Sequence, residues 1–214
     1  DDHNAWIGIG NQIFRLPLDT GCLTGTASAC ALVHVAGTGA TGHTDSSLGT
    51  NAVLGPVGSM ATDGNFVYFS DEGQTLRAMS TSPPHSVLTV AGQVGACGIN
   101  DGIGAQATFH DIRGLVMDRG VIYLLDGCYA VLRTFNPNNR LVTTVAGLPN
   151  PVSHFGQCQA AVTAAGGTFS CNEVAQGIDG GLGTGRMVSP RYMTSAYNGM
   201  LYIADTNGET LRSY

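Results

Sequence analysis

The chain contains no lysine, and its nine basic residues are all arginines. Only 11% of its 214 residues are charged, and the formal net charge is −6. Proteins that bind nucleic acids through phosphate contacts usually present a basic surface, so this charge pattern argues against a nucleic-acid partner. Long apolar runs are also missing, because no stretch approaches the roughly 18 residues that a membrane-spanning helix requires. We therefore expect neither nucleic-acid binding nor a transmembrane segment.

Several other signals are absent. The sequence starts with neither a methionine nor a signal peptide, so we expect a processed product or a segment of a longer protein. It has no Asn-x-Ser/Thr sequon, and N-glycosylation is not predicted. The six histidines never pair at i, i+2 or i, i+4, and no Gly-x-Ser-x-Gly is found. We therefore predict no catalytic residue, no metal-ligating residue and no required cofactor, although calcium would suit the carboxylate-rich loops.

Glycine, by contrast, is abundant, with 31 residues scattered among short β-type runs. Frequent turn signals between short apolar runs indicate an all-β chain. One stretch recurs, reading as a strand, a tight turn and a second strand. Its clear copies run from Tyr68 to Arg77, from Tyr123 to Arg133 and from Tyr202 to Arg212, and a degenerate copy runs from Trp6 to Arg15.

A second recurring signal is a strand that ends in Val-Ala-Gly. Gly37, Gly92 and Gly147 end these strands, 55 residues apart each time. A fixed repeat of this length predicts a β-propeller or a solenoid. The repeat units are 1–37, 38–92, 93–147 and 148–214, within one propeller domain or propeller segment. The last unit contains an insertion at 148–177.

Each complete unit is expected to form one four-stranded antiparallel blade. In the third unit the predicted strands are 113–118, 121–125, 131–135 and 141–145, and in the second they are 58–62, 65–70, 75–79 and 87–91. The outer units hold incomplete blades, so the chain presents about four blades.

These motifs resemble the NHL-repeat β-propeller family. The resemblance lies in the Asp-Gly-x-Gly linker at 101–104, the Tyr-x-x-Asp hairpin at 123–126, the Leu-Arg strand at 132–133 and the Val-Ala-Gly strand at 145–147. Ile9 departs from it, since Asp is expected there. The resemblance implies about six blades, and therefore a segment of a six-bladed propeller. The alternatives are an unusual four-bladed ring or a propeller that another chain completes.

In such a propeller, the linker into the first strand and the turn between strands two and three lie on one face. Cys97 and Cys128 would occupy these two positions in one blade, Cys22 and Cys30 one loop between strands three and four, and Cys158 and Cys171 the insertion. The predicted pairs are 22–30, 97–128 and 158–171, among fifteen connectivities. They imply an extracellular or cell-surface location. The alternative is six free thiols in a cytosolic protein.

The repeated Tyr, Asp and Arg are interpreted as architecture. They are Tyr68, Asp71 and Arg77; Tyr123, Asp126 and Arg133; and Tyr202, Asp205 and Arg212. Each Asp is expected to cap the turn that follows it, rather than to join a ring of metal ligands. Each Arg, with Arg15 at the same position, is expected to pair with an acidic or carbonyl group between blades. The aromatic residues are expected to pack within or between blades.

The function predicted from these features is a non-enzymatic extracellular binding or scaffold module. Its specific form would be a structural subunit of a filament, coat or appendage, with a protein partner or with copies of itself. The alternative is a propeller enzyme, a lyase or hydrolase, with a metal site on the central axis.

Overall fold

A computed structural model of the chain describes residues 3–18, 30–147, 185, 187, 190–196, 199–206 and 209–214. The described residues form four antiparallel sheets. Sheet 1 contains β1 (Asn4–Ile9), β2 (Gln12–Pro17) and β3 (Val33–Ala36) in the order β1-β2-β3. Sheet 2 contains β4 (Val57–Thr62), β5 (Phe66–Asp71), β6 (Thr75–Ser80) and β7 (Val87–Gly92) in the order β4-β5-β6-β7.

Sheet 3 has five strands and sheet 4 has three. Sheet 3 contains β8 (Gly102–Ile103), β9 (Ile112–Asp118), β10 (Val121–Asp126), β11 (Val131–Asn136) and β12 (Leu141–Ala146), in the order β8-β12-β11-β10-β9. Sheet 4 contains β13 (Pro190–Ser195), β14 (Leu201–Asp205) and β15 (Thr210–Ser213) in the order β13-β14-β15. The helical residues in the described ranges form two 3-10 turns, Gly49–Asn51 and Gly104–Gln106.

The predicted fold class is confirmed: the chain is an all-β propeller with about four blades, of which the outer two are incomplete. The strands of sheet 2, and β9 to β12 of sheet 3, begin and end within one residue of the predicted positions. Each sheet lies within a different predicted repeat unit. The insertion predicted at 148–177 lies outside the described residues, and the number of blades in a complete ring stays a prediction.

The chain divides into two compact units, each with its own core. One unit comprises Asp1–Glu72 and Arg77–Thr89, and the other comprises Gly73–Leu76 and Val90–Tyr214. In the first unit, sheet 1 packs against sheet 2 through a cluster made of Ile13, Val35, Ala36, Ala52, Leu54, Val67, Phe69, Met79 and Val87. In the second, sheet 3 packs against sheet 4 through Val116, Leu125, Ala130, Leu132, Met187, Leu201 and Ile203.

The glycine of the Val-Ala-Gly strands is required by close backbone packing. Gly92 and Gly147 have φ angles of +85° and +92°, which disfavour any residue with a Cβ atom. A Cβ on Gly92 would lie 2.5 Å from the carbonyl oxygen of Gln74, and one on Gly147 would lie 2.6 Å from that of Ala130. The fourth strand of the blade therefore approaches the turn before the third strand.

The strand register of sheet 1 corrects one prediction. In sheet 3, Arg133 lies opposite Leu124, and in sheet 4, Arg212 lies opposite Ile203. The corresponding pair in sheet 1 is Phe14 opposite Ile7. Arg15 lies one residue further along β2, opposite Trp6, so it does not occupy the repeated arginine position. The hairpin turn is shorter in sheet 1 than in the other blades, and this shifts the register relative to a simple residue count.

Candidate functional site

Arg77 is the centre of a buried polar network in sheet 2. Its side chain is completely buried, and its Nη1 atom donates hydrogen bonds to Asp71 Oδ2 at 2.6 Å and to the Val53 carbonyl at 2.9 Å. Its Nη2 atom donates to the Thr44 carbonyl at 3.0 Å and to Asp45 Oδ1 at 2.9 Å. The arginine therefore connects β6 with the linker that leads into β4, which we call lead-in loop 2 (residues 43–56).

Asp45 extends this network to the fourth strand of the blade. Its carboxylate accepts hydrogen bonds from the backbone N–H of Thr89 at 2.9 Å and from the Thr89 hydroxyl at 3.0 Å. Asp71, from the end of β5, accepts the N–H of Gly55 at 2.7 Å. The two carboxylates thus tie both ends of lead-in loop 2 to the blade, through bonds to a charged partner that are stronger than neutral ones.

Sheet 3 repeats this arrangement around Arg133. Its Nη1 atom donates to the Thr108 carbonyl at 2.6 Å, and its Nη2 atom donates to the Asn100 carbonyl at 2.6 Å and to Asp101 Oδ1 at 2.9 Å. Asp101 in turn accepts the N–H and hydroxyl of Thr144 at 2.8 and 2.9 Å. The arginine holds residues 98–111, which we call lead-in loop 3, and its guanidinium lies 4.8 Å from the Phe109 ring centroid.

Asp126 lies at the end of β10, 4.0 Å from Arg133 Nη1, and both side chains are completely buried. Its carboxylate accepts the backbone N–H groups of His110 and Asp111 at 3.0 and 3.3 Å. Burial raises the pKa of Asp126, while the His110 N–H and the charge of Arg133 act in the opposite direction. Asp71 and Asp126 therefore each bind a lead-in loop, and the predicted capping of the turn that follows each of them stays a prediction.

In sheet 4, Arg212 Nε donates to Asp205 Oδ2 at 2.9 Å. Asp205 is completely buried, whereas the arginine side chain is 14% exposed. The same Asp and Arg thus pair in sheets 2, 3 and 4. The lead-in loop of sheet 4 lies mostly outside the described residues.

The repeated tyrosines have different surroundings. Tyr68 is buried, and its hydroxyl donates to Asp63 Oδ2 at 3.0 Å; burial, together with the Asp63 charge, raises its pKa. Tyr123 contacts Tyr214 edge-on, with ring centroids 6.3 Å apart. Tyr202 lies half-buried on β14, opposite Ser213.

Two histidines lie on the lead-in loops. His43 Nε2 lies 2.8 Å from Glu72 Oε2, and its Nδ1 lies 3.5 Å from Asp71 Oδ2. The histidine side chain is 17% exposed, so the ring bridges the loop and the turn after β5 near the protein surface. An imidazole held by carboxylates in this way is a common arrangement in both metal sites and acid–base sites.

His110 is buried on lead-in loop 3 and contacts Tyr129 edge-on, with ring centroids 5.4 Å apart. Burial raises the pKa of Tyr129, and the charge of Asp126 raises it further. The neighbouring Asp111 accepts a 2.6 Å hydrogen bond from Arg113 Nε. In the ranges that the structure describes, no three His, Cys, Asp or Glu residues are arranged to hold a metal ion.

Three of the six cysteines lie in the described residues. Cys30, Cys97 and Cys128 are each disulfide-bonded, so none of the three has a free thiol. Cys128 lies in the turn after β10, with its sulfur 4.0 Å from Asp111 Oδ2 of lead-in loop 3. Cys22, Cys158 and Cys171 lie outside the described residues, and the predicted pairs 22–30, 97–128 and 158–171 stay predictions.

The sequence interpretation missed the link between the linker aspartates and the fourth strand. Asp45 and Asp101 bind Thr89 and Thr144 in the same way, 44 and 43 residues later in the chain. This recurrence was visible in the sequence, because the linker Asp repeats after 56 residues, in phase with the arginine, and the Thr before Val-Ala-Gly repeats after 55.

No protein-family model matches the sequence, and a search of curated proteins finds no match. The fold does match solved structures. A candidate phosphatase from Bacteroides thetaiotaomicron aligns with a TM-score of 0.65 at 14% identity, over 98% of this chain and 45% of that chain. A second structure from the same organism, of a protein of unknown function, aligns with a TM-score of 0.49 at 16% identity, over 100% of this chain and 56% of that chain.

A structure of a nidogen–laminin complex gives a TM-score of 0.48 at 12% identity, over 99% of this chain and 73% of that one. The chain spans about half the length of each of the two Bacteroides proteins described above. At these identities the similarity shows the fold alone, which is propeller-like. In the described part of the chain, no helix is long and apolar enough to span a membrane.

Proposed function

We propose that this chain is a non-enzymatic scaffold module of an NHL-like propeller, which binds a protein partner or its own copies outside the cell or at the cell surface. The observation that supports this proposal is that the repeated arginines bind the backbone of the lead-in loops. Arg77 and Arg133 are completely buried, and each bonds two carbonyls of its lead-in loop. Their charges therefore hold the loops in one conformation, as a contact surface requires.

The lead-in loops are the proposed contact surface for another protein. Lead-in loop 3 is fixed by Arg133 and Asp126, and a Cys97–Cys128 disulfide would add a covalent connection beside Asp111. Val94, just before this loop, is 55% exposed, and an exposed apolar side chain beside ordered polar groups suits protein recognition. Loops on a rigid β scaffold are frequent binding surfaces.

The extracellular location is supported by the cysteines. Cys30, Cys97 and Cys128 are disulfide-bonded, and disulfides persist in oxidising compartments. Intact mass spectrometry with and without reduction tests this. We expect the untreated protein to be lighter by one hydrogen for every cysteine. Six free thiols in protein from its native source would refute the extracellular location and leave the binding role to be tested separately.

A propeller enzyme is the second candidate, and His43 is the observation that favours it. The ring between Asp71 and Glu72 could act as a base or, with further ligands, hold a metal such as zinc. Metal analysis of the purified protein and an assay with p-nitrophenyl esters and phosphates separate the two candidates. Turnover that His43→Ala abolishes, while Arg140→Ala retains it, would favour the enzyme; stoichiometric metal that His43→Ala releases would do the same.

A further inference from the structure

The outer strands of sheets 2 and 3 have the composition of segments that pair readily with strands of other chains. β7 reads VLTVAG and β12 reads LVTTVA, so neither strand contains a charged residue or a proline. Leu88 on β7 and Leu141 on β12 are 45% and 39% exposed. Short uncharged segments rich in β-branched residues join strands of other chains when their edge is accessible. Proteins often protect such edges with lysine, which this chain lacks, so the protection has to come from another residue type.

In sheet 2 the lead-in loop binds the outer side of β7. β7 is the last strand in the order of this sheet, and its N–H groups at alternate positions point away from β6. The Val87 N–H donates to the Ser46 carbonyl at 2.8 Å, and the Thr89 N–H donates to Asp45 Oδ2 at 2.9 Å. Two neighbouring outward donors that an added strand would use are therefore already bonded to lead-in loop 2.

Sheet 3 has the same arrangement on the outer side of β12. The two-residue strand β8 pairs with Leu141 and Val142, the first two residues of β12. Asp101 immediately precedes β8, and its Oδ2 atom accepts the Thr144 N–H at 2.8 Å. The loop backbone thus covers the beginning of the strand, and the aspartate side chain binds the next outward donor. In both sheets a carboxylate takes the place of the carbonyl group that an added strand would supply.

A buried arginine fixes each of these carboxylates. Arg77 Nη2 donates to Asp45 Oδ1 at 2.9 Å, and Arg133 Nη2 donates to Asp101 Oδ1 at 2.9 Å. The two arginine side chains are completely buried, whereas the aspartate side chains are 40% and 41% exposed. A strand that added to this edge would have to break these bonds and remove the carboxylate from water, which is costly for a charged group. The geometry therefore disfavours strand addition at both outer edges.

We propose that Asp45 and Asp101 protect the blade edges from strand addition, besides holding the lead-in loops. Each aspartate occupies an outward N–H group of the outer strand and places a charge beside it. Without the carboxylate, the outer strand becomes available to pair with the outer strand of a second copy, which has the same uncharged composition. This role concerns the blade edges and does not depend on the contact surface proposed above, so the two proposals can fail separately.

Hydrogen exchange of the Thr144 amide tests the first part of this proposal. The matched control for Asp101→Ala is Asp118→Ala, which removes the same charge from the same sheet but at the end of β9. We expect the Thr144 amide to exchange about tenfold faster in Asp101→Ala than in the wild type, because one hydrogen bond is lost. Asp118→Ala should keep the wild-type rate. Equal Thr144 rates in all three proteins would overturn the proposal, as would an equal acceleration at Leu124 in β10, which reports general loss of stability.

Sedimentation velocity and thioflavin T fluorescence test the second part. Circular dichroism first establishes that each variant is folded at the temperature used. We expect Asp101→Ala to form thioflavin-binding species whose mass rises with time, while the wild type and Asp118→Ala form none. Asp45→Ala should behave like Asp101→Ala, because sheet 2 has the equivalent bond to Thr89. Asp45→Ala also carries the test if Asp101→Ala does not fold.

A second substitution separates edge pairing from general instability. Thr144→Pro removes the outward N–H, and proline is tolerated on an edge strand where the missing N–H would face away from the sheet. The double variant Asp101→Ala/Thr144→Pro should therefore return to wild-type behaviour, although it carries one substitution more than Asp101→Ala. Association that is as fast in the double variant as in Asp101→Ala would overturn the proposal, as would a folded Asp101→Ala that never associates.

Discussion

Arg77 and Asp71 form an ion pair of 2.6 Å in which both side chains are completely inaccessible to solvent. The equivalent pair in sheet 3, Arg133 and Asp126, is 4.0 Å apart. There the arginine makes two 2.6 Å hydrogen bonds to carbonyls, and the aspartate accepts two backbone N–H groups. The direct contact between the aspartate and the arginine is therefore shorter in sheet 2. In sheet 3 both side chains hold the loop mainly through hydrogen bonds to its backbone.

Replacing Arg133 with Met should destabilise the protein strongly. The change leaves Asp126 buried without its positive partner, leaves the Thr108 carbonyl without its arginine donor and removes one of the two donors to the Asn100 carbonyl. Removal of one member of a buried pair typically costs about 3–5 kcal/mol. Urea unfolding followed by circular dichroism measures the loss. The exposed Arg140→Met is the control, and equal unfolding midpoints for the two variants would contradict the assigned role.

Thr144→Val should remove the hydroxyl bond to Asp101 and keep the backbone bond. Valine preserves shape and strand preference, so we expect a loss of about 1 kcal/mol, the net contribution of one hydrogen bond. Thr89→Val should cost a similar amount, because it removes the equivalent bond to Asp45. Chemical denaturation measures the loss of stability in both variants. A loss in only one of the two would refute the equivalence of the two hydroxyl hydrogen bonds.

A comparison of Gly92→Ala with Gly95→Ala distinguishes the stability lost to backbone strain from the stability lost to a steric clash. Both glycines have positive φ angles, +85° and +76°. A Cβ at Gly92 would meet the Gln74 carbonyl oxygen at 2.5 Å, while nothing lies within 4 Å of one at Gly95. Each variant bears strain of about 1 kcal/mol, and only Gly92→Ala should also displace β7. Thermal unfolding should therefore give a clearly lower midpoint for Gly92→Ala, and equal midpoints would argue against the close approach.

Tyr68 should make stability sensitive to alkaline pH. Burial and Asp63 raise its pKa above the usual 10.0, so the folded state keeps the proton at pH values where the unfolded state loses it. This contribution is therefore fully present below pH 10 and is lost as the pH rises further. We expect the free energy of unfolding to fall less in Tyr68→Phe than in the wild type between about pH 9 and 11. The exposed Tyr192→Phe should follow the wild type; identical slopes for all three proteins would refute the prediction.

The strands were predictable because they are short, repeat every 55 residues and end at glycines that the packing requires. The hydrogen-bond partners of the charged residues could not be predicted from the sequence. Asp71 binds Gly55, 16 residues earlier, and such a contact does not follow from the local turn chemistry that we applied. Arg15 was misplaced because turn lengths differ between blades, so residue spacing alone does not identify the position opposite a given strand residue.

Ile9 and Phe14 stand where sheet 3 has an aspartate and an arginine, and this difference has a consequence for how such repeats diverge. A buried ion pair tolerates the loss of both members far better than the loss of one. A duplicated blade can therefore leave this pattern only by a two-step path whose intermediate carries an isolated buried charge. The intermediate is mildest where solvent reaches the position, as it does at Ile9, so sequence drift in the repeat is expected to begin at such positions.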